Sequence, residues 1–262
     1  MVAKDRLRID FTAEGGYNDR RKGGVNMGEI AVTLTANAGI LLRTECLTMA
    51  VDAFHDHPAP PFSTVTPALL NALEAAGKLS GLDLIAATHI HDDHFGTAPV
   101  QRAMVCSPAA AFAAPEPVLP GQLLITGPAA HLRHSGFTLD FRRMPHDGEE
   151  YRDVPLYGLV LTCASRRVLI PGDSTDHDAV LALMDGKETD TAILNFPWIT
   201  HPKNRAFVDE ILRPKHLLLC HLPFPADDVD GFIPAAARDA AKLRNIPDVR
   251  LLTQPMQEER IL

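Results

Sequence analysis

The residues of this chain with the clearest capacity for chemistry form an H-x-H-x-D-H pattern at positions 89–94, directly after the apolar stretch 82–87. In an extended segment His89 and His91 point to the same side, and Asp93 and His94 face a second position once the chain turns. Imidazole nitrogens and carboxylate oxygens are the ligands that zinc and similar divalent ions prefer. The pattern therefore predicts a metal site, with a solvated His-rich loop as the alternative.

One such cluster cannot supply the ligands of two metal sites, and three further candidates follow apolar stretches later in the chain. His146 comes after FTLDFRRMP, Asp173 ends VLIPGD and His221 ends HLLLCH. The ends of strands are where an α/β sheet gathers its functional groups. Each residue taken alone is typical of a structural or solvated position, but together with the first cluster they predict metal binding.

The elements that must position these residues are predicted from hydrophobic patterning. Positions 30–52 contain apolar runs broken by turn residues, which favours consecutive antiparallel strands. Thr66 suits a helix N-cap and Pro67 the first helical position, and the helix is expected to end at Gly77 or Gly81. Together these patterns indicate sheets covered by helices on their outer faces.

The rest of the chain alternates short apolar strands with helical stretches. The predicted strands are LDLIA, AMVCS, FTLDF, YGLVLTC paired with RRVLIPG, TAILNF and KHLLLC. The predicted helices lie near 177–185, 204–212 and 232–244.

Length, charge and cysteine content limit the classes of function. The chain has 262 residues, 46% of them hydrophobic, and no linker or repeat divides it, so we expect a single domain over 1–262. The formal net charge of −8 disfavours nucleic acid as a partner. The charged N-terminus and the lack of a long apolar stretch predict a cytoplasmic protein without membrane contact. The four widely spaced cysteines are expected to be buried and reduced.

Over nearly its whole length, from about residue 30 to 262, the chain resembles the metallo-β-lactamase superfamily. The first motif of that family matches Asp52, the second is the H-x-H-x-D-H run, and the third to fifth match His146, Asp173 and His221. The resemblance implies a four-layer αββα sandwich with a dinuclear metal site at one edge. It assigns one ion to His89, His91 and His146, the other to Asp93, His94 and His221, a bridging role to Asp173 and an orienting role behind a ligand to Asp52.

Departures from the patterns of individual branches narrow the resemblance. True class B β-lactamases usually have a cysteine at the position of Asp173, and the diiron oxygen-reducing branch has glutamate in place of His91. Glyoxalase II-like thioesterases carry a helical domain near the C-terminus, and ribonuclease Z-like enzymes carry a basic arm, and neither insertion is found here. The remaining spacing is similar to the branch that contains L-ascorbate 6-phosphate lactonase.

The function expected from the resemblance is that of a dinuclear metal-dependent hydrolase. Two divalent ions, Zn²⁺ or Mn²⁺, would acidify a shared water to give a hydroxide nucleophile, oriented by Asp93, while Asp173 bridges the ions. The expected substrate is a small anionic ester, lactone or phosphoester. A phosphodiesterase or nuclease is the enzymatic alternative, and a metal-binding protein without turnover, serving as a sensor or scaffold, is the alternative from another class.

Several residues outside the ligand set are candidates for substrate contact. The predicted loop 195–204 contains Trp198, His201 and Lys203, and each has a structural or solvated alternative. His55 and His177 follow the motif aspartates and could lie at the rim of the site. Apolar segments near Phe224 and Phe232 could cover the site or form a subunit contact, so a homo-oligomer is one expectation.

Overall fold

The fold is seen in a computed structural model that describes the backbone of residues 7–10 and all of residues 28–134 and 136–262. The strands are β1 (Leu7–Asp10), β2 (Ile30–Leu34), β3 (Ile40–Arg43), β4 (Thr48–Val51), β5 (Leu84–Ala86), β6 (Ala111–Ala114), β7 (Leu123–Leu124), β8 (Ala129–His134), β9 (Phe137–Met144), β10 (Leu156–Cys163), β11 (Arg166–Ile170), β12 (Thr191–Asn195), β13 (His216–Cys220), β14 (Asp248–Leu251) and β15 (Glu258–Ile261). The α-helices are α1 (Pro67–Ala75), α2 (Thr97–Cys106), α3 (His177–Met184), α4 (Pro197–Thr200), α5 (Pro202–Phe207) and α6 (Phe232–Ala240).

These strands form two mixed sheets. In one sheet the order is β15-β2-β3-β4-β5-β6-β7, and in the other it is β1-β8-β9-β10-β11-β12-β13-β14. The strands β2, β3 and β4 pair antiparallel in succession, which confirms the prediction for positions 30–52. The strands β4, β5 and β6 are parallel, as are β11, β12, β13 and β14. Parallel neighbours bring their carboxyl ends to a common edge of each sheet.

Three layers of buried apolar side chains hold the sheets and helices together. The central layer joins the facing sides of the two sheets and includes Val32, Leu42 and Leu218. A second layer packs α1 and α2 on the outside of the β2–β7 sheet, and a third packs α3, α4 and α5 on the outside of the other sheet. The architecture is therefore the four-layer αββα sandwich expected from the sequence.

The first helix begins as its sequence predicts. Thr66 is the N-cap of α1, where its hydroxyl accepts a hydrogen bond from the backbone N–H of Leu69 at 3.2 Å, and Pro67 opens the helix. The helix ends at Ala75, just before Gly77, which has φ +70°. The left-handed conformation at this position is one that glycine adopts without steric cost.

The prediction for 103–107 was wrong, because AMVCS forms the end of helix α2 and not a strand. Val100 and Ala103 are buried at helical spacing, whereas Val105 is 80% exposed. The strand of this region is β6 instead, whose Ala-rich sequence lies inside the sheet between β5 and β7. Tertiary burial here overrides the low strand preference of alanine.

Two of the other predicted helices have different limits from those expected. The helix predicted at 204–212 is α5 followed by a π-helical turn over Val208–Leu212, and the one predicted at 232–244 ends at Ala240. The helix predicted at 177–185 is confirmed as α3. Among the residues described, no helix has the length and apolar character needed to cross a membrane.

The expectation of reduced thiols was wrong for two of the four cysteines. Cys46 and Cys163 form a disulfide with a Cα–Cα distance of 6.0 Å, while Cys106 and Cys220 are free. Spacing could not reveal the bond, because 117 positions separate the partners and only the stacking of the two sheets brings them together. Disulfides are typical of oxidising compartments, so a cytoplasmic location stays a prediction.

Candidate metal centre

The candidate ligands lie at one edge of the sandwich because each follows the carboxyl end of a strand. From one sheet, Asp52 follows β4, and the segment 89–94 follows β5, which is parallel to β4. From the other sheet, His146, Asp173 and His221 follow β9, β11 and β13. The strand β9 runs parallel to β11, since both are antiparallel to β10. The two sheets therefore deliver their polar side chains to a shared edge.

A first cluster consists of His89, His91 and His146, whose ligand atoms all lie within 4.8 Å of one another. The Nε2 atom of His89 is 3.1 Å from the Nδ1 atom of His91. The Nε2 atom of His146 is buried and has no hydrogen-bond partner. Burial lowers the pKa values of His89 and His91, which favours the neutral imidazole that binds metals.

A second cluster consists of Asp93, His94, Asp173 and His221, again within 4.8 Å of one another. The Nε2 atoms of His94 and His221 are 3.3 Å apart, and each lies close to Oδ2 of Asp173, at 3.1 and 3.2 Å. Oδ2 of Asp93 is 3.4 Å from Nε2 of His221. Two imidazoles and two carboxylates thus face one common position.

The Asp173 carboxylate lies between the two clusters. Besides its contacts in the second cluster, its Oδ2 atom is 3.9 Å from Nε2 of His89 and 3.8 Å from Nε2 of His146. Its Oδ1 atom is buried without a hydrogen-bond partner. Buried polar atoms normally have partners, so the unpartnered atoms of Asp173 and His146 fit a centre whose partners are metal ions.

The electrostatics of the second cluster favour bound positive charge. Burial opposes ionisation of Asp173, but the neighbouring charges of His221 and His94 outweigh it and hold the pKa of the carboxyl well below its usual range. In the same way, Asp173 outweighs the effect of burial on His221 and raises its pKa to about 9. The neighbouring carboxylates also raise the pKa of His94, and raised pKa values favour protonated imidazoles, so metal binding would release protons.

Asp52 contacts His94, one of the candidate ligands. It is buried and adopts a left-handed backbone conformation with φ +50° at the end of β4. Its carboxylate accepts hydrogen bonds from the backbone N–H and the hydroxyl of Thr88, each at 2.7 Å, and its Oδ2 atom is 3.0 Å from Nδ1 of His94. A carboxylate held in this way fixes the ring orientation of His94 and leaves Nε2 to face the centre.

Sequence reasoning missed Asn37, which contacts two of the candidate ligands. It lies in the turn between β2 and β3 with φ +52° and is fully buried. Its side-chain amide donates to Oδ2 of Asp93 at 3.0 Å, and its backbone carbonyl accepts the backbone N–H of His221 at 3.0 Å. Asn-Ala-Gly at 37–39 is readable in the sequence only as a turn, so no local signal indicates that this turn contacts ligands.

Sequence reasoning also missed aromatic residues on both sides of the centre. The ring of Tyr151 lies 5.1 Å from the ring of His91 and 4.9 Å from that of His146. The ring of Phe62 packs edge-on against His221, with 4.3 Å between centroids. Tyr151 ends a short 3₁₀ turn and Phe62 lies in an irregular segment, and hydrophobic periodicity indicates the position of neither.

Three of the predicted substrate contacts pack against other residues of the fold. His55 is fully buried next to the Ala36 carbonyl, and burial lowers its pKa to about 4. Trp198 is fully buried in the layer outside the β8–β14 sheet. His177 stacks on Phe207 at 4.2 Å and on Trp198, and its Nε2 atom is 3.0 Å from Oδ1 of Asn204. His55 and Trp198 are fully buried and His177 is half-buried, and substrate contact by these residues stays a prediction.

The segment predicted as a loop at 195–204 is helical, which changes the interpretation of its other two candidates. It forms α4 and the start of α5, with His201 between the two helices. His201 and Lys203 are both exposed to solvent. Their side chains stay available for substrate contact, but none of the described contacts joins either of them to the ligand clusters.

Comparison with known proteins supports the fold. No family model and no curated protein matches the chain. A metallo hydrolase from the archaeon Ignicoccus hospitalis is similar, with TM-score 0.60, 18% identity and coverage of 89% of this chain and 99% of that one. A metallo-β-lactamase fold protein from Bacillus subtilis has TM-score 0.57, 14% identity and coverage of 88% and 99%.

The same fold also occurs in a protein with different chemistry. A diiron β-hydroxylase from Streptomyces venezuelae has TM-score 0.59 and 13% identity, and it matches over 91% of this chain and 55% of its own length. The chain therefore has the metallo-β-lactamase fold. At these identities the likeness shows the fold alone, and the activity must be argued from the site.

Proposed function

We propose that this chain is a hydrolase that uses two divalent metal ions. The observation that carries the proposal is the division of its ligand side chains into two clusters that share one carboxylate oxygen, Oδ2 of Asp173. Two ions held side by side by imidazoles and a shared carboxylate are typical of hydrolytic metal centres. The same fold occurs in a metallo hydrolase from Ignicoccus hospitalis, so the fold is compatible with this class of reaction.

In this proposal each cluster holds one ion. One ion would be held by His89, His91 and His146, the other by Asp93, His94 and His221, with Asp173 between them. Nitrogen and oxygen donors of this kind suit Zn²⁺ first and Mn²⁺ as an alternative. When bound, the ions would supply positive charge that polarises a carbonyl or phosphoryl oxygen and lowers the pKa of water.

The side chains of the chain itself would orient the reactants. Asp93 is held by the amide of Asn37, so its carboxylate is positioned to orient the attacking water as well as to bind metal. Asp173 sets the spacing of the two clusters and balances part of the positive charge. The ring of Tyr151 covers His91 and His146 from one side and restricts their rotation.

The proposed substrate is a small ester, lactone or phosphoester that carries negative charge, because an anionic group is attracted to two divalent ions. The motif spacing favours the branch similar to L-ascorbate 6-phosphate lactonase. Lys203 and His201 are exposed to solvent and are the leading candidates for contact with an anionic group of the substrate.

The test compares Asp93→Asn with Asp92→Asn. Asp92 is the exposed neighbour of Asp93 and belongs to neither cluster, so it is a matched control. Protein loaded with Zn²⁺ or Mn²⁺ is assayed for bound metal and for hydrolysis of esters, lactones and phosphodiesters. We expect Asp93→Asn to lower turnover by more than about 100-fold, since losing groups that only orient ligands already costs about 10–100-fold. Asp92→Asn should leave it unchanged.

Other outcomes would refute the proposal. Turnover that survives Asp93→Asn, or protein that binds no divalent metal, would contradict a metal-dependent hydrolase. Bound iron with consumption of O₂ and no hydrolysis would indicate oxygenase chemistry, which the same fold supports in the hydroxylase from Streptomyces venezuelae. Hydrolysis of phosphodiesters alone would replace the lactonase-like substrate by a nucleotide.

A further inference from the structure

A large apolar cavity opens at the same edge of the sandwich as the candidate metal centre. Its volume is about 600 Å³, within the range of small-molecule sites. It is lined by residues 58–66 after β4, by Leu69 and Ala72 of α1, by Phe224 and Asp227 after β13, and by the turn at 255–256. The segments after β4 and β13 are the ones that begin with Asp52 and His221.

One side chain belongs both to this cavity and to the metal centre. Phe62 lines the cavity, and its ring packs edge-on against the ring of His221 at 4.3 Å. The same ring stacks on Phe232 at 6.4 Å, and Phe232 packs against Phe196 at 4.9 Å. The ring of Phe62 thus lies between the cavity and His221, a proposed metal ligand.

The chemistry of the cavity favours a neutral hydrocarbon group. Its wall, as far as the described residues form it, consists mainly of proline, alanine, phenylalanine, leucine and methionine side chains, with the hydroxyls of Ser63, Thr64 and Thr66 and no Lys, Arg or His. The acidic group of the wall, Asp227, accepts a hydrogen bond from the hydroxyl of Ser63 at 2.6 Å. A carboxylate or phosphate would find no cation here, whereas a hydrocarbon chain would bury apolar surface.

We propose that this cavity binds the hydrocarbon chain of an ester substrate whose carbonyl group lies at the metal centre. The inference rests on the proposed function and narrows it to esters with an apolar acyl chain, so that any negative charge of the substrate lies on its alcohol part. In the reaction the acyl C–O bond breaks, water supplies OH to the acyl carbon, and the remaining proton of that water goes to the leaving alcohol. Negative charge then belongs to the acid product at the metals and not to the group in the cavity.

A binding experiment tests the cavity without any catalysis. Chelator-treated protein is titrated calorimetrically with 1-octanol and with 1-butanol as neutral probes. Each methylene group buried should tighten binding roughly fourfold, so octanol should bind more than about tenfold tighter than butanol. In Ala72→Trp this preference should disappear, because Ala72 is exposed on α1 and an indole at this position fills the cavity. Ala206→Trp, at an exposed position of α5 outside the cavity, is the matched control and should keep it.

A kinetic experiment tests the connection to the metal centre. The metal-loaded wild type should show a higher kcat/KM for p-nitrophenyl octanoate than for p-nitrophenyl acetate. Ala72→Trp should remove this difference by raising KM for octanoate, whereas the control Ala206→Trp should keep it.

Each contrary result has a distinct meaning. Equal affinity for octanol and butanol, or octanol binding that survives Ala72→Trp, would overturn the cavity as a binding site. Octanol binding that Ala72→Trp abolishes, together with no preference for octanoate, would overturn its link to the substrate. A change of oligomeric state in Ala72→Trp would make the cavity a contact between copies of the chain and overturn the proposal. Probe binding that Ala72→Trp abolishes in a protein that hydrolyses nothing would leave the cavity supported and refute the proposed function.

Discussion

Asn37 connects two candidate metal ligands that are far apart in the sequence. Its side-chain amide donates to the Asp93 carboxylate, and its backbone carbonyl accepts the backbone N–H of His221. His221 itself has φ +59°, and Asn37 has φ +52°. Asparagine tolerates the left-handed region better than most residues, so one residue type satisfies both the turn and the hydrogen bond to Asp93. We interpret Asn37 as a positioning residue for the second cluster.

We therefore predict that Asn37→Ala weakens metal binding. The Asp93 carboxylate would lose its donor and rotate more freely, and groups of this kind contribute about 10–100-fold to metal affinity. Competition with a chelating dye measures the Kd for Zn²⁺ directly. Asn71→Ala, at an exposed position of α1, is the control and should keep the wild-type Kd. A wild-type Kd in Asn37→Ala, with thermal stability reduced, would show that Asn37 serves the turn and not the ligands.

At the scale of elements, the turn between β2 and β3 is packed against the end of β4. Gly39 donates to the Ala36 carbonyl at 2.7 Å, and its own carbonyl accepts from Thr35 at 2.8 Å. A Cβ atom on Gly39 would lie 2.7 Å from the backbone carbonyl oxygen of Asp52. The backbone at position 39 therefore passes close to Asp52, and the absence of a side chain there permits this approach.

Gly39→Ala should consequently destabilise the protein by on the order of 1–3 kcal/mol, as other overpacked sites do. Urea unfolding measures this loss. Gly136→Ala provides the comparison, because a Cβ atom there meets nothing closer than 3.5 Å, and its stability should change little. Equal stability of the two variants would mean that the turn adjusts freely and does not hold Asp52.

The site residues that follow strand ends could be predicted from sequence, whereas those from the connecting segments could not. Asp52, Asp173 and His221 each end a run of apolar residues, and that pattern is local. Tyr151 comes from a short 3₁₀ turn, and Phe62 from an irregular segment, so their place beside the ligands depends on how the two sheets stack. The helix–strand error at 103–107 has the same origin, because a short apolar run is compatible with either element until its packing is known.

At the scale of the whole molecule, the two sheets are joined at opposite ends. Cys46 precedes β4 and Cys163 ends β10, so the disulfide joins the sheets at the end opposite to Asp52 and Asp173. The candidate ligands join them at the other end, because each cluster takes side chains from both sheets. Metal binding would therefore act as a second cross-link, present only in the folded state.

Removal of the metal should lower the melting temperature for this reason. A ligand about a hundredfold above its Kd stabilises the folded state by about 2.7 kcal/mol, which corresponds to a Tm change of roughly 5–10 °C in a domain of this size. The measurement is Tm with Zn²⁺ and after chelation, in the wild type and in two variants of one strand. His221→Asn removes a proposed ligand after the end of β13 and should show a smaller chelation shift. His216→Asn, at the start of β13, removes a side-chain contact with Asp248 remote from the centre and should keep the full shift. Equal shifts in both variants would show that the stabilising metal is bound elsewhere than at His221.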